Sequence, residues 1–271
     1  MNKLPSLIGH RGCKLAPENT LAAIRKAHEL GAQAVEVDVQ CSRDGQLVVC
    51  HDDRLDRTTD GHGRLTDYNW AELSQLDAGS WFSPQYKGER LPLLSQVLQT
   101  AQQLGLLVVV EIKAGARTPD FAANFLKTLD TYPSYVRVIS FDRKILQELR
   151  QLRPDLPTGT LYSERPVVKG MEAGLAIGAA AGMALGHPVL GALAGVACGY
   201  LYGRNQVVRD ARSQPGSVLP YWLGVDPIFT HRLKGREIIA YTADNPALER
   251  RLLRNGCAAV LTDYPGRAIS S

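Results

Sequence analysis

The sequence predicts a (β/α)8, or TIM, barrel on three observations. Short apolar or alternating runs that read as strands start near residues 6, 34, 107, 136, 157, 217, 237 and 259, and helical segments separate most of them. A helix joins the first two of these strands, the βαβ opening of a parallel sheet. The first strand ends in Gly9-His10-Arg11-Gly12. The competing doubly wound sheet would carry a G-x-G-x-x-G fingerprint there, and none is present. At 271 residues and 45% apolar composition the chain can bury the core of one such domain.

The elements follow in order. LPSLIG (4–9) is an apolar run closed by a polar loop. In PENTLAAIRKAHELG, Asn19 or Thr20 can cap a helix whose Leu21, Ile24 and Ala27 share a face, with Gly31 ending it. AVEVDVQ (34–40) alternates as a strand, SRDG turns, and QLVVCHDD returns as the second arm of a hairpin. Residues 54–92 are irregular and polar, an inserted region with a short helix near 70–76. An amphipathic helix over 93–104 leads to the strongly apolar strand LLVVVEIK (106–113). VRVISF (136–141), the helix DRKILQELRQL, PTGTLYS (157–163), SVLPYW (217–222), EIIAYT (237–242), the helix around PALERRLLRNG and AVLTDY (259–264) complete the series.

One segment departs from this rhythm. Residues 173–203 contain no Asp, Glu, Lys or Arg, and glycines recur every fourth residue at 174, 178, 182 and 186 and again at 191, 195, 199 and 203 around His187-Pro188. That spacing puts a glycine face on each half of a helical hairpin, lying between the fifth and sixth strands within about 166–210. Each half is roughly 13–15 residues, short of the roughly 20 needed to cross a bilayer. Three readings stay open: a shallow dip into a membrane, self-association of residues 171–204 through the glycine faces, and an ordinary helical excursion packed on the barrel. Lys169, Arg204 and Arg209 flank the hairpin and favour an anionic surface.

Chemistry gathers at the strand ends. Glu36 and Asp38 are two apart and share a face of the second strand, as Glu111 and Lys113 do in the third. Carboxylates on an inner barrel face are costly unless neutralised. A divalent cation with hard oxygen ligands does this, which points to Mg2+, Ca2+ or Mn2+. The plainer reading is an internal ion-pair cluster with Arg11 and Lys113. His10 and His51 add acid–base capacity, although a lone histidine is more often structural. The CHDD run, folding back over the barrel mouth, would bring His51 to the metal. The guanidinium fork of Arg11 suits a phosphate.

HRG (10–12), PENT (17–20), VEVDV (35–39), HDD (51–53), RTTDG (57–61), DAGSWFS (77–83), LPLLSQV (91–97), EIK (111–113) and TDYP (262–265) together resemble the glycerophosphodiester phosphodiesterase family, over most of 4–165 and about 213–265. The resemblance implies a single catalytic TIM barrel over 1–271, with 46–90 inserted between strands two and three. It implies metal ligation by Glu36, Asp38 and Glu111, an acid–base pair of His10 and His51, and a phosphate clamp of Arg11 with Lys113 nearby. It also implies an ordering role for Asn19, for which capping a helix is an equally physical role. The implied reaction is hydrolysis of glycerophosphodiesters to glycerol 3-phosphate and an alcohol with Mg2+ or Ca2+. Either water or the adjacent glycerol hydroxyl can be the nucleophile, and which histidine is acid stays open. Two departures touch substrate detail only: Cys13 replaces a second glycine after HRG, and Tyr241-Thr242-Ala243-Asp244-Asn245 stands where the family often has WTVN, so that Tyr241 keeps an aromatic wall.

Bulk properties narrow the partners. A net charge of +4, with no dense Lys/Arg run, excludes a nucleic-acid reading. Five cysteines without a CxxC pair, and no apolar leader before the first glycines, predict free thiols, no cleaved signal peptide and a cytoplasmic enzyme, peripherally membrane-associated if the hairpin meets lipid. The rival readings are lysophospholipase D-type hydrolysis of membrane lysophospholipids and a membrane-associated scaffold with an inactive barrel. The full set of carboxylates and histidines argues against the scaffold.

Overall fold

A computed structural model describes residues 4–113, 120–132 and 136–266. After β1 (Leu7–Gly9) comes α1 (Leu21–Glu29). Thr20 caps it by accepting the Ala23 N–H, which leaves Asn19 free for another task. β2 (Ala34–Cys41) and β3 (Leu47–Val49) form an antiparallel hairpin. Its turn is closed by Ser42 and Gln46, with Gly45 in the left-handed region at φ 78°. The region that follows has its own small core of Val48, Leu55, Leu65, Leu73 and Leu91. It also carries α2 (Trp70–Leu73), shorter than expected.

The rest alternates. α3 (Leu94–Leu104) precedes β4 (Leu107–Ile112), α4 (Phe121–Thr131) precedes β5 (Val136–Ser140), and α5 (Arg143–Leu152) precedes β6 (Thr158–Tyr162). α6 (Arg165–Ala184) and α7 (Pro188–Ser213) come next, then β7 (Ser217–Pro220) and α8 (Pro227–Arg232). β8 (Ile239–Ala240), α9 (Pro246–Arg254) and β9 (Ala259–Thr262) end the series. The sheet order is β7-β6-β5-β4-β2-β1-β9-β8, with every neighbour parallel, and β3 attaches beside β2. Parallel bridges Val218–Ile238 and Tyr221–Tyr241 link the two ends, so the sheet is a nearly closed barrel with helices outside. The sixth and seventh barrel strands are shorter than the sequence suggests. After Pro220, which has no N–H for a ladder, the chain turns at Trp222–Gly224, and β8 is two residues long at the seam.

Strand periodicity separates two cores. Val35, Val37 and Val39 of β2 and Val108, Val110 and Ile112 of β4 pack outward against Ile24, Val97, Leu98 and Phe125 of the helices. Ile8, Ala34, Val109, Ile139, Leu219 and Leu261 fill the barrel interior. Burying each Val or Ile contributes about 1.5–3 kcal/mol. Glu36, level with Val109, and Asp38 and Glu111, one interior step nearer the strand C-termini, fall on the same inner face, where every barrel strand opens on the same mouth.

The α6 and α7 helices are longer than the apolar halves predicted, because both continue into residues beyond the charge-free run. The C-terminal part of α7 packs on the barrel through Val207, Val208 and Ala211. Gly170, Gly174, Gly178 and Gly182 meet Gly191, Gly195, Gly199 and Gly203. A Cβ on Gly195 would stand 1.9 Å from the Gly174 carbonyl oxygen. Gly186 is not part of this face. It ends α6 in the left-handed conformation at φ 74°, and Gly170 takes the fourth place. The glycine faces are therefore spent on each other, within one chain. Arg204 also differs from its expected flanking role: it is buried and ion-paired with Asp226.

Candidate active site

The β2–β4 register sets Asp38 directly beside Glu111. Glu36 and Asp38 are each 1% exposed and Glu111 9%. Ligand oxygens of the three lie within 4.8 Å of one another. Lys113 Nζ bridges Asp38 Oδ1 (2.9 Å) and Glu111 Oε1 (2.8 Å), and Arg11 Nε lies 3.3 Å from Asp38 Oδ2. The internal ion-pair cluster is thus real but short of charge. Three carboxylates face two cations, and Arg11 also donates to Glu18 at 2.8 Å. Glu36 Oε2 accepts a neutral donor, the Arg11 backbone N–H, at 3.0 Å.

The electrostatics show the same shortfall. Burial, reinforced by the charge of Asp38, pushes Glu36 up to about 8 and Glu111 up to about 7. Burial would raise Asp38 too, but Lys113 and Arg11 outweigh it and hold that carboxyl below the usual range. Hard oxygen donors with uncompensated negative charge fit a divalent cation.

Two non-glycine residues in the left-handed region shape the rim: Arg11 at φ 50° and Asn19 at φ 59°. Such backbone is costly and needs support. Asn19 N–H donates to the Arg11 carbonyl (3.0 Å). The Asn19 side chain clasps Asp38 at two points, Nδ2 to Oδ2 (2.8 Å) and Asp38 N–H to Oδ1 (3.1 Å). Asn19 thus orders a carboxylate of the cluster, while Thr20 caps the helix.

Each histidine is anchored through Nδ1 by an aspartate. His10 pairs with Asp263 at 2.8 Å and His51 with Asp52 at 2.6 Å. A carboxylate at Nδ1 favours the tautomer with its proton there and makes Nε2 the acceptor nitrogen. Burial works against the charged form of His10, yet Asp263 and then Glu36 outweigh it and raise its pKa. At His51 burial prevails and lowers it. Arg57 ties Asp52 to Glu18, which pairs in turn with Arg11. Gln40 Nε2 donates to the carbonyls of Cys50, His51 and Asp52 (3.0, 3.2 and 2.6 Å), pinning the His51 arm to β2.

Tyr241 donates to the Tyr162 carbonyl (2.8 Å) and meets Phe141 and Tyr221 edge to face at 6.3 and 5.9 Å, an aromatic wall at the ends of β5, β7 and β8. The structure therefore gathers His10, Arg11, Asn19, Glu36, Asp38, His51, Glu111 and Lys113 around the carboxylates and sets Tyr241 on the wall beside them. Sequence reasoning leaves Asp52, Asp263 and Gln40 without a role. A signal exists for the aspartates, since each follows a strand end inside HDD or TDYP. Gln40 has only its place two residues after Asp38.

A sequence profile of the glycerophosphoryl diester phosphodiesterase family matches residues 10–267. The chain belongs to the glycerophosphoryl diester phosphodiesterase family. It is accordingly a phosphoric diester hydrolase. A glycerophosphodiester phosphodiesterase of Caldanaerobacter subterraneus is 30% identical over 270 residues, covering 97% of this chain and 96% of the relative. One from Bacillus subtilis is 28% identical over 275 residues, covering 95% and 83%. Among solved structures, an Oleispira antarctica phosphodiesterase in complex with the product sn-glycerol-3-phosphate superposes with a TM-score of 0.76 at 27% identity, covering 97% of this chain and 94% of that one. A Silicibacter pomeroyi protein at 24% identity shares the fold, with a TM-score of 0.73 over 98% and 92%.

Proposed function

We propose that this chain hydrolyses glycerophosphodiesters to glycerol 3-phosphate and an alcohol, in one catalytic (β/α)8 domain spanning 1–271 with 46–90 and 166–210 as insertions. The observation that carries the reading is three buried carboxylates within 4.8 Å of one another, beside two histidines each anchored by an aspartate. The product complex of the Oleispira relative supports the substrate class. Glu36, Asp38 and Glu111 would hold one divalent cation, Mg2+ or Ca2+ with Mn2+ admissible. When bound it would supply Lewis-acid neutralisation of phosphate charge.

The chain's own groups do the rest. Arg11 and Lys113 offer N–H donors to non-bridging phosphate oxygens, where charge builds in the transition state. Of His10 and His51, one takes the proton of the nucleophile, water or the adjacent glycerol hydroxyl. The other protonates the departing alkoxide. Asp263 and Asp52 hold both rings so that Nε2 faces the substrate. Asn19 keeps Asp38 oriented, and Tyr241 walls the leaving-group side. Five unpaired cysteines fit a reducing compartment, the cytoplasm.

The test is release of glycerol 3-phosphate from glycerophosphocholine, with EDTA and then with each metal added back. Turnover that ignores EDTA, or that survives Glu36→Ala, would refute the reading. A lysophospholipid substrate is the second reading, favoured by the apolar hairpin beside the mouth.

A further inference from the structure

We propose that the α6–α7 hairpin is a one-leaflet membrane anchor that holds the barrel mouth against a phospholipid surface. α6 starts three residues after β6 ends at the mouth, and Gly203 of α7 lies against Pro166 at the base of α6. Residues 204–213 then descend the barrel wall and deliver the chain to β7. The stretch between those points leaves the barrel on the mouth side, with its base packed beside Tyr221 through Val167 and Arg204 and tied to Asp226 by Tyr200.

The hairpin shows its surroundings apolar side chains on several sides. Leu185, Ile177 and Val189 are 77%, 71% and 71% exposed, and Met183, Leu190 and Leu193 are exposed with them. Leu175 and Ile177 are both exposed and, two positions apart, point about 200° apart on the helix. A single protein partner covers one side of such a hairpin, whereas an apolar solvent covers all of them. An open apolar groove of about 1090 Å³ runs along the seam between the helices and ends at Arg165 and Lys169, cations placed to meet lipid phosphates. Among the described residues α6 is the one helix of at least 18 residues with so apolar a composition, at a mean hydropathy of 1.2, although Arg165, Lys169 and Glu172 confine its lipid-compatible part to the residues that follow.

Length decides between crossing and dipping. The charge-free stretches 173–185 and 188–203 reach about 20 and 24 Å as helix, against a hydrocarbon core of about 30 Å. A tilted hairpin of that reach passes one leaflet and turns near the bilayer centre. Its turn suits that place. Gly186 N–H and His187 N–H donate to the Met183 and Gly182 carbonyls, and Pro188 opens α7 without an N–H. The glycine seam lets the paired helices enter as one narrow body. Anchoring stands on these observations alone. That the mouth then draws a phosphodiester, such as a lysophospholipid, from the interface rests on the proposed function.

The test uses the purified full chain with vesicles of phosphatidylcholine and phosphatidylglycerol. Flotation that persists in high salt is expected. Cys198 is the exposed cysteine of the five and lies in the groove. An environment-sensitive fluorophore on it should shift to the blue with vesicles and be quenched by acyl-chain quenchers. Leu185→Asp with Leu190→Asp should reduce the bound fraction about tenfold or more, because charge resists the bilayer centre. Turnover of glycerophosphocholine should stay within about twofold, as for surface changes remote from a site. Absence of vesicle binding, binding reversed by salt, or a fluorophore shift that needs no lipid and tracks dimer formation would overturn the anchor. A wild-type chain that binds vesicles but leaves soluble glycerophosphodiesters intact would overturn the catalytic reading and uphold the anchor.

Discussion

Glu36→Gln should stabilise the cation-free protein at alkaline pH while abolishing its response to divalent cations. Burial and Asp38 push the Glu36 carboxyl from its ordinary 4.5 up to about 8. The folded state therefore holds this proton more tightly than the unfolded chain does. The associated stability is complete below about pH 4.5 and drains away as the pH climbs to about 8. Glu111, pushed up to about 7, and His10, whose pKa is also raised, act in the same sense, and His51 in the opposite one. The difference between wild type and Glu36→Gln isolates the Glu36 carboxylate together with its share in the raised His10 pKa. Keeping Glu36 ionised costs roughly 4–5 kcal/mol if the site stays rigid. Neighbouring groups relax, so about 2–4 kcal/mol should be measurable, or about 5–10 °C in Tm. The assay is denaturant and thermal unfolding in EDTA at about pH 5 and about pH 8.5, repeated with Mg2+ and Ca2+. Wild type should lose more stability between the two than the variant, which keeps the contribution of Glu111, and wild type alone should regain it with cation. Equal wild-type stability at both pH values in EDTA, or a cation-dependent Tm rise retained by Glu36→Gln, would refute the reasoning.

Asp263→Ala removes the anchor at His10 Nδ1 and should lower kcat about 10²–10³-fold, with the limb of the pH–rate profile set by His10 moving to lower pH; stopped assays over a pH series check both. Gln40→Leu deprives the Cys50, His51 and Asp52 carbonyls of their shared donor and should cost about 1–3 kcal/mol. Its steady-state kinetics should show kcat falling more than KM rises, and an unchanged kcat would sever Gln40 from the site. Gly195→Leu cannot place its Cβ 1.9 Å from the Gly174 oxygen and should part the hairpin, read as faster proteolysis between the helices with soluble turnover preserved.

The parts of this molecule legible in its sequence are those where one strand suffices. β2 and β4 announce themselves by valines at period 2, and the same alternation exposes Glu36, Asp38 and Glu111 as charges on a face that must be buried. What stays hidden needs two distant segments at once. Asp263 meets His10 across 253 positions through the β1–β9 pairing, and nothing local in TDYP states it. Asn19 is offered by its residue type as a cap, and only the left-handed turn at Arg11 and Asn19 aims it at Asp38 instead. α4 is not marked by a side-chain cap hydrogen bond at its start, although Phe121, Phe125 and Leu129 lie at helical spacing. In the hairpin the charge-free run marks the apolar part, but helix length is decided by packing of Val207, Val208 and Ala211 on the barrel, beyond that run.

The seam between β7 and β8 has a consequence for how the barrel opens. Isolated bridges at Val218–Ile238 and Tyr221–Tyr241 hold it, whereas β2 and β4 share six registered pairs. Amide hydrogens of β7 and β8 should therefore exchange with solvent ahead of those in β2 and β4. Thermal breathing then begins on the far side of the barrel from the carboxylates, and a chain caught part-way open still carries its charged centre intact.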